Sequence, residues 1–416
     1  MRFIADFHLH SKYSRATSKE MEVETLARWA KKKGVSLLGT GDFTHPTYFA
    51  ELRSKLESLG NGLFQLKKGD QGIRYILTTE VNNIYTQGGK VRRIHNLIFV
   101  PSFEVAEAIH SKFGNLGKLS SDGRPIFSFT AKELVKMILD ISPDCLIIPA
   151  HAWTPWFSIF GANSGFDSIE ECFEEMSPYI HAIETGLSSD PEMNWRLSAL
   201  DRITLISNSD AHSPSRLGRE ANAFDCALDY KEITETIRKK DRKKFLFTIE
   251  FFPEEGKYHY DGHRQCGVIS SPSQTKANQY LCPNCHKKLT VGVIHRVEEL
   301  ADRPEGFIPK NAIPSIHLIP LEEVIAEALG VRVGTKAVEM EYERLVERGG
   351  SEFQILLDAT PDELASFVPP KILDGIVRMR QGKVSIIPGH DGVYGKITLF
   401  PEREGKEELK DQLKLF

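Results

Sequence analysis

The 416-residue sequence has no apolar run long enough to cross a bilayer, which would take about twenty consecutive apolar residues. Its first residues, MRFIADFHLHS, enter a strand-like run directly instead of forming a cleavable leader. The expectation is a cytoplasmic protein without a membrane partner. Six cysteines are too few for a disulfide framework in a chain this long, and Cys145, Cys172 and Cys226 are scattered as buried thiols usually are. No Gly-x-Ser-x-Gly elbow and no Walker lysine loop occurs, which sets aside serine-hydrolase triads and nucleotide-driven motors. A surplus of positive charge is missing too: 53 Lys and Arg stand against 57 Asp and Glu, a net of −4. Taken alone, that balance argues against a nucleic-acid partner, because phosphate contacts supply most of such affinity. Bound divalent cations would reverse it locally, each adding two positive charges where a phosphate sits. What remains is an ordinary globular composition, 41% hydrophobic and 26% charged, with room for two or three domains.

From Arg2 to Ser213, strand-like apolar runs recur, each ending on a metal-capable side chain. RFIADFHLHS carries His8 and His10, VSLLGTGDF Asp42, IRYILTTEV Glu80, RRIHNLIFV His95, CLIIPAHAW His151, IHAIETGL Glu184, and ITLISNSDAHS Asp210 and His212. Most are followed by helical periodicity, as in VETLARWAKKKG. That is a βα repeat, and in barrels of such units the carboxyl ends of the strands share one mouth where chemistry collects. HLH sets His8 and His10 two apart on a strand, so both imidazoles lie on one side of the pleat, and SDAH repeats the geometry. Imidazole with carboxylate suits Zn, Mn or Fe, and a bridging carboxylate such as Glu80 holds two ions roughly 4 Å apart. A lone strand-end histidine such as His95 or His151 is commonly a satisfied structural residue. As a set, these residues point to a multinuclear metal cluster, since burying so many ionisable groups together without metal is costly.

Further along, His263 and Cys266, then Cys282 and Cys285, form two knuckles of x2 spacing about fifteen residues apart, the layout of a closed, structural zinc ribbon. His286 follows Cys285 too closely to share the ion. Residues 320–382 carry short helical repeats separated by Gly or Pro, and VSIIPGHDGVYGKITLF reads as a hairpin with His390 and Asp391 as turn residues. The expected division is a metal-binding α/β barrel over 1–225, a basic linker and helix over 226–257, the ribbon over 258–295, and a small helical C-terminal module over 296–416.

HLHS, the late SDAH and the intervening Glu and His resemble the polymerase and histidinol phosphatase superfamily of metal-dependent phosphoesterases, whose fold is a distorted (β/α)7 barrel. The resemblance implies ligand roles for His8, His10, Asp42, Glu80, His151, Asp210 and His212 around two or three divalent ions (Zn, Mn or Mg). It adds His95, and His45 beside Asp42 in TGDFTH; the Asp that often follows the first motif is replaced by Ser14 and Arg15. Over the whole chain, HSKYSRATS, GTGDFTHP, the HRQC and CPNC pair, LADRPEG, LIPLEEVIAE, GSEFQILL and PGHDGVYGKI are similar to the endonuclease Q family of DNA repair nucleases. That similarity implies hydrolysis, by metal-activated water, of the phosphodiester 5′ to a deaminated base (uracil, hypoxanthine or xanthine) or an abasic site. DNA is then the partner, with a replication or repair clamp as a second one. The stretch AWTPWFSIFGANSG, with Trp153, Trp156, Phe160 and Asn163, is the expected wall of a pocket for an extruded base. Arg238, Lys239, Lys240 and Arg242 in IRKKDRKK are the expected phosphate contacts, and the ribbon's Tyr258, Tyr260, Arg264, Lys287 and Lys288 suit DNA contact or domain docking. Two other functions fit parts of the pattern: a phosphatase of a small phosphomonoester, and a DNA-binding protein without catalysis.

Overall fold

The computed structural model describes residues 2–401, so the last residues of the expected C-terminal module, 402–416, lie outside the described residues. All seven runs contain a strand: Arg2–Asp6, Leu37–Gly39, Arg74–Gln87, Lys90–Val100, Leu146–Pro149, Ala182–Glu184 and Thr204–Ile206. The first five lie in a mixed sheet, where a plain βα repeat would give a parallel one, while Ala182–Glu184 and Thr204–Ile206 pair in parallel with each other as a separate two-stranded sheet of the same α/β fold. Arg2–Asp6 pairs in parallel with Leu37–Gly39 and antiparallel with Ala221–Asp225. The departure is largest at Arg74–Gln87 and Lys90–Val100, which form one long antiparallel hairpin. Gln87 pairs with Lys90, leaving a two-residue turn of Gly88 and Gly89, both at positive φ (60° and 73°). Such a turn matches the twist of the flanking strands and needs glycine at both positions.

Two apolar cores follow from the pleat. Ala5, Phe7, Leu37, Ile76, Leu97, Phe99, Ile148, Ala182, Ile206, Phe224 and Phe245 draw on strand after strand to fill one inner cluster, while a second cluster lies between the sheet and its surrounding helices. The helix Tyr230–Arg238 closes the inner cluster with Tyr230, Ile233 and Ile237. The segment 226–257, expected as a basic linker and helix, does hold a helix, and it is built into the fold. That segment contributes this plug and the strand Phe245–Glu250, which lies in the sheet between Ala221–Asp225 and Ser315–His317.

The same placement gives the basic run, expected to contact phosphate, partners within the fold. Arg238 donates to the carbonyls of Pro143, Asp144 and Cys145, Lys240 donates to the Asp201 carbonyl (3.0 Å), and Arg242 donates to that of Lys310 (2.5 Å). Lys239 stays exposed and pairs with Glu235. Residues 143–145 enter the strand Leu146–Pro149 and His151 leaves it, so the two lie at opposite ends of a strand of roughly 13 Å. These cations complete the carbonyl ends and loops under the sheet.

The helices Leu321–Leu329, Lys336–Gly349, Pro361–Ala365 and Pro370–Arg380 form the C-terminal module. It docks on the first helix, Val23–Lys33, whose Val23, Leu26, Ala27 and Ala30 make a buried stripe at helical spacing and whose end is set by Gly34 at φ 87°. Lys33 in its last turn is buried and reaches Glu352 at 2.7 Å; Glu352 also accepts from Tyr342 Oη (2.8 Å) and Leu321 N (3.0 Å). Ser315–His317 brings the chain beyond the ribbon back to the sheet, with His317 Nε2 at 3.2 Å from Asp190 Oδ2. Among the described residues no helix is long and apolar enough to cross a membrane.

Two outcomes follow. Lys33→Ala leaves Glu352 buried without its counter-charge and is expected to lower unfolding free energy by about 3 kcal/mol in chemical denaturation; a loss under about 1 kcal/mol would show the pair to be dispensable. Burial alone would lower the pKa of His317, but its hydrogen bond and charge contact with Asp190 hold it up at about 9 against 6.5. A raised histidine stabilises fully below its unfolded pKa and loses that contribution as pH climbs through the folded one. The melting midpoint should therefore fall between about pH 6.5 and 9, and Asp190→Asn, which keeps an N-cap for the helix Pro191–Asn194, should flatten that fall.

Candidate metal centre

Beyond Arg2–Asp6 the chain stays extended. Leu9 bridges Ala211 in parallel and His10 N donates to the Ala211 carbonyl (3.2 Å), so HLH lies beside SDAH. His8 and His10 thus sit just past the strand, with ring centroids 5.2 Å apart. His10 Nε2 is 2.9 Å from Asp210 Oδ1, and His8 Nε2 is 3.7 Å from both Asp210 Oδ1 and Glu80 Oε1. Glu80 and His95 come from the middle of the hairpin rather than from strand ends. Glu80 pairs with Leu97 and His95 with Asn82, so the two side chains are diagonal neighbours on one face, with His95 Nδ1 2.5 Å from Glu80 Oε1. His151 Nε2 meets the same oxygen at 3.1 Å.

The donor atoms of His8, His10 and Asp210 lie within 4.8 Å of one another, and so do those of Glu80, His95 and His151. The groups adjoin, since His10 Nε2 is 3.5 Å from Glu80 Oε2. His8 Nε2 and Glu80 Oε2 are buried without a hydrogen-bond partner. Orphaned donor atoms converging from both groups are what divalent cations would satisfy, so the residues present fit a metal site.

Behind these donors stands a second layer. Glu184 faces His8 Nδ1 at 3.0 Å and accepts from His151 N (2.8 Å) and Asn208 Nδ2 (2.9 Å). Asp42 faces His10 Nδ1 at 3.2 Å, while its other oxygen accepts from Ser11 N, Ser11 Oγ and Ser14 Oγ at 2.6, 2.7 and 2.8 Å. A carboxylate on Nδ1 fixes the ring and presents Nε2 forward, so Asp42 stands where it orients His10, outside both three-donor groups. His212 Nδ1 is 2.8 Å from the Asp210 carbonyl, and its ring lies 4.6 Å from that of His10. Donating Nδ1–H there leaves its Nε2 free. His45 caps the helix Pro46–Lys55 by accepting from Tyr48 N and stacks on Tyr13 at 4.4 Å. Three residues of the site, Asp42, His151 and Asp210, hold positive φ (43°, 31° and 47°), strain of the kind that collects where side chains must be aimed.

The charges balance locally. Burial pushes His8 and His10 down, yet Glu184, Asp210 and Glu80 hold His8 well above the usual range, and hydrogen bonds to Asp210 and Asp42 hold His10 at about 9. Burial would raise Glu80 and Asp210, but the neighbouring histidines hold both below the ordinary carboxylate range.

Sequence reasoning missed Arg124, whose Nε is 3.7 Å from Glu80 Oε2 at the rim of this cluster. The turn SSDGRP carries no periodicity to flag it. Gly123 must be glycine here, because a Cβ would fall 2.3 Å from both Asp42 Oδ2 and Ser14 Oγ.

Beside the cluster opens a cavity of about 750 Å³, with Trp156 and Phe157 from the loop after His151, Arg216 and Arg219 from the loop after His212, and Tyr258 and Tyr394 from the C-terminal half. Of the aromatic residues expected in this wall, Trp156 lines the cavity while Trp153 and Phe160 do not. Trp153 and Phe160 are buried, 4.9 Å apart, with Trp153 Nε1 donating to Asn194 Oδ1 (2.8 Å), so they pack the loop's own core. Trp156, 45% exposed, faces Tyr258 edge-on at 6.3 Å, and Asn163 lines a smaller cleft between the same two rings.

The knuckle residues also meet. His263 ends the strand Asp261–His263, Cys266 follows in a turn closed by Gly267 at φ 64°, and their donors lie within 4.8 Å of those of Cys282 and Cys285. His286 is outside the group. Asp391, in the turn expected for it, accepts from Arg264 N (2.7 Å) and Thr290 Oγ1 (2.6 Å) and so ties the C-terminal hairpin to these knuckles. Asp190, Glu192 and His317 make a further donor group, whose oxygens are engaged by Met193 N, His317 and Ser315 Oγ.

Residues 320–383 match the family model described as the MJ0043 C-terminal domain. The chain is 36% identical over 262 residues to the uncharacterised protein MJ0043 of Methanocaldococcus jannaschii, covering 61% of this chain but only 32% of that protein. It is 31% identical over 379 residues to the uncharacterised YqxK of Bacillus subtilis, covering 89% and 91%. Among solved structures, the lesion-specific endonuclease PfuEndoQ of Pyrococcus furiosus superposes with a TM-score of 0.86 at 32% identity over the whole of both chains. An endonuclease Q bound to a 27-mer duplex with an abasic lesion at its active site gives 0.84 at 34% identity over 97% of each chain. With identity above 30% across essentially its entire length, the chain belongs to the endonuclease Q family.

Proposed function

We propose that this chain is a metal-dependent DNA repair endonuclease that hydrolyses the phosphodiester 5′ to a deaminated base or an abasic site. The observation that carries the proposal is the pair of adjoining donor groups, His8–His10–Asp210 and Glu80–His95–His151, with His8 Nε2 and Glu80 Oε2 buried and unpartnered between them. On this reading those six residues, with His212, hold two or three divalent ions (Zn, Mn or Mg), and Asp42 and Glu184 orient their imidazoles. Such ions supply an activated water, in-line alignment and neutralisation of the leaving oxygen. The inner core drawn from strand after strand, closed below by Tyr230–Arg238, supports a distorted barrel with this site at its mouth.

The neighbouring cavity supports the choice of substrate. A damaged nucleotide must leave the stack before its base can be read, at a cost of a few kcal/mol. A space of about 750 Å³ walled by Trp156, Phe157, Tyr258 and Tyr394 offers stacking surfaces for an extruded nucleotide, with Arg219 adding positive charge at its edge and Arg216 paired to Glu323. Uracil, hypoxanthine and xanthine are the bases assigned to it. His263, Cys266, Cys282 and Cys285 hold one structural zinc that shapes the Tyr258 side of that wall.

A labelled duplex with one uracil or abasic site and divalent metal tests the proposal. Expected is one incision 5′ to the lesion, leaving a 3′-hydroxyl and a 5′-phosphate and weakening as salt rises; alkali-dependent breakage, or equal cutting of undamaged duplex, would contradict it. Asp210→Asn should reduce incision by at least about 10²-fold while the fold, followed by circular dichroism, persists. Cys282→Ser with Cys285→Ser should release one zinc per chain and lower the melting temperature, and full zinc content in that variant would refute the ribbon.

A further inference from the structure

Most arginines of this protein spend their guanidinium on the fold. Arg238 bonds three carbonyls, Arg303 forks onto Asp201 at 2.8 and 2.6 Å, and Arg380 bonds the carbonyls of Ile355, Leu356 and Ala359. Arg124 does not. Its side chain is three-quarters buried, yet it makes no hydrogen bond to the described residues, and its one ion pair is the loose 3.7 Å approach of Nε to Glu80 Oε2. Its backbone is fixed, with Arg124 N donating to Asp122 Oδ1 (3.1 Å) and Gly123 pressed against Asp42 and Ser14. The result is a guanidinium held at the rim of the donor cluster, within electrostatic reach of Glu80, Asp210 and Asp42, with its N–H fork unspent. With its remaining surface open to solvent and no protein partner on its fork, the guanidinium is free to exchange water for an anion that reaches the cluster.

We propose that Arg124 grips the non-bridging oxygens of the scissile phosphate. The inference rests on the reading of this mouth as a phosphodiesterase site. In the reaction water oxygen bonds to phosphorus, the bond from phosphorus to the 3′ oxygen breaks, and a proton ends on that 3′ oxygen. Arg124 stays protonated throughout, positions the phosphate for in-line attack and offsets the charge that gathers on its oxygens. The side chain was invisible to motif reasoning because its work needs only a charge and a fork at the end of a turn.

The test uses the metal-loaded wild type, Arg124→Ala and Arg124→Lys, with inorganic phosphate as the binding probe. Single-turnover incision of an abasic-site duplex should fall about 10²- to 10³-fold in the Ala variant at unchanged metal content, with added guanidinium ion restoring part of the rate. Arg124→Lys should fall in between, since it keeps the charge but not the fork. Calorimetry should show phosphate binding weakened at least about tenfold in the Ala variant. A rate within about threefold of wild type with unaltered phosphate affinity would overturn the proposal, as would a loss of metal that accounts for the loss of rate. If the wild type itself fails to incise, the functional reading falls, and the phosphate affinities alone then decide the role of Arg124.

Discussion

Ionisable groups cannot be gathered out of water unless each is paired, and His8, His10 and Glu80 are gathered with at most 1% of their surface exposed. Four imidazoles and two carboxylates meet at the mouth, and every nearby element serves to hold them. Glu184 and Asp42 brace two rings from behind, Ser11 and Ser14 brace Asp42, and the chain accepts left-handed backbone at Asp42, His151 and Asp210 to aim the rest. Rigid strands supply the platform. An inner core of aromatic and aliphatic side chains lies beneath them, with a helix as its floor, so the donors cannot relax away from one another.

The C-terminal half contributes through its surfaces. Lys257, Tyr258 and Tyr394 approach the loop after His151 to wall a cavity that the first 225 residues alone leave open. The helical module is anchored through the buried Lys33–Glu352 pair and the first helix, and its Glu323, paired with Arg216, reaches the same cavity. The His263–Cys285 knuckles and the hairpin joined to them by Asp391 therefore set the position of one side of the cavity.

The strand runs were legible because apolar residues in short stretches leave few alternatives, and HLH and SDAH were legible because two-residue spacing puts both rings on one side. The four knuckle residues were legible from spacing alone. Other features depend on pairing that no local pattern encodes. Glu80 and His95 looked like strand ends because the runs were read separately, whereas the Gly88–Gly89 turn joins them into one hairpin and leaves both in its middle. Asp42 has the chemistry of a ligand, and its three hydrogen bonds from Ser11 and Ser14, which place it behind His10, could not be read from the sequence. Trp153 and Trp156 are three residues apart with the same chemistry; burial separates the one that packs from the one that faces the cavity. The partners of the basic run were not legible, because a carbonyl-rich strand entry can use cations as readily as a phosphate can.

The most direct test of the account is where metal binds. Anomalous diffraction from crystals of the protein loaded with zinc or manganese should show peaks at both the His8–His10–Asp210 and Glu80–His95–His151 groups, roughly 4 Å apart as in two-metal phosphoesterase sites, and a separate zinc peak among His263, Cys266, Cys282 and Cys285. A map with density at the knuckles alone, and none at the mouth, would contradict it.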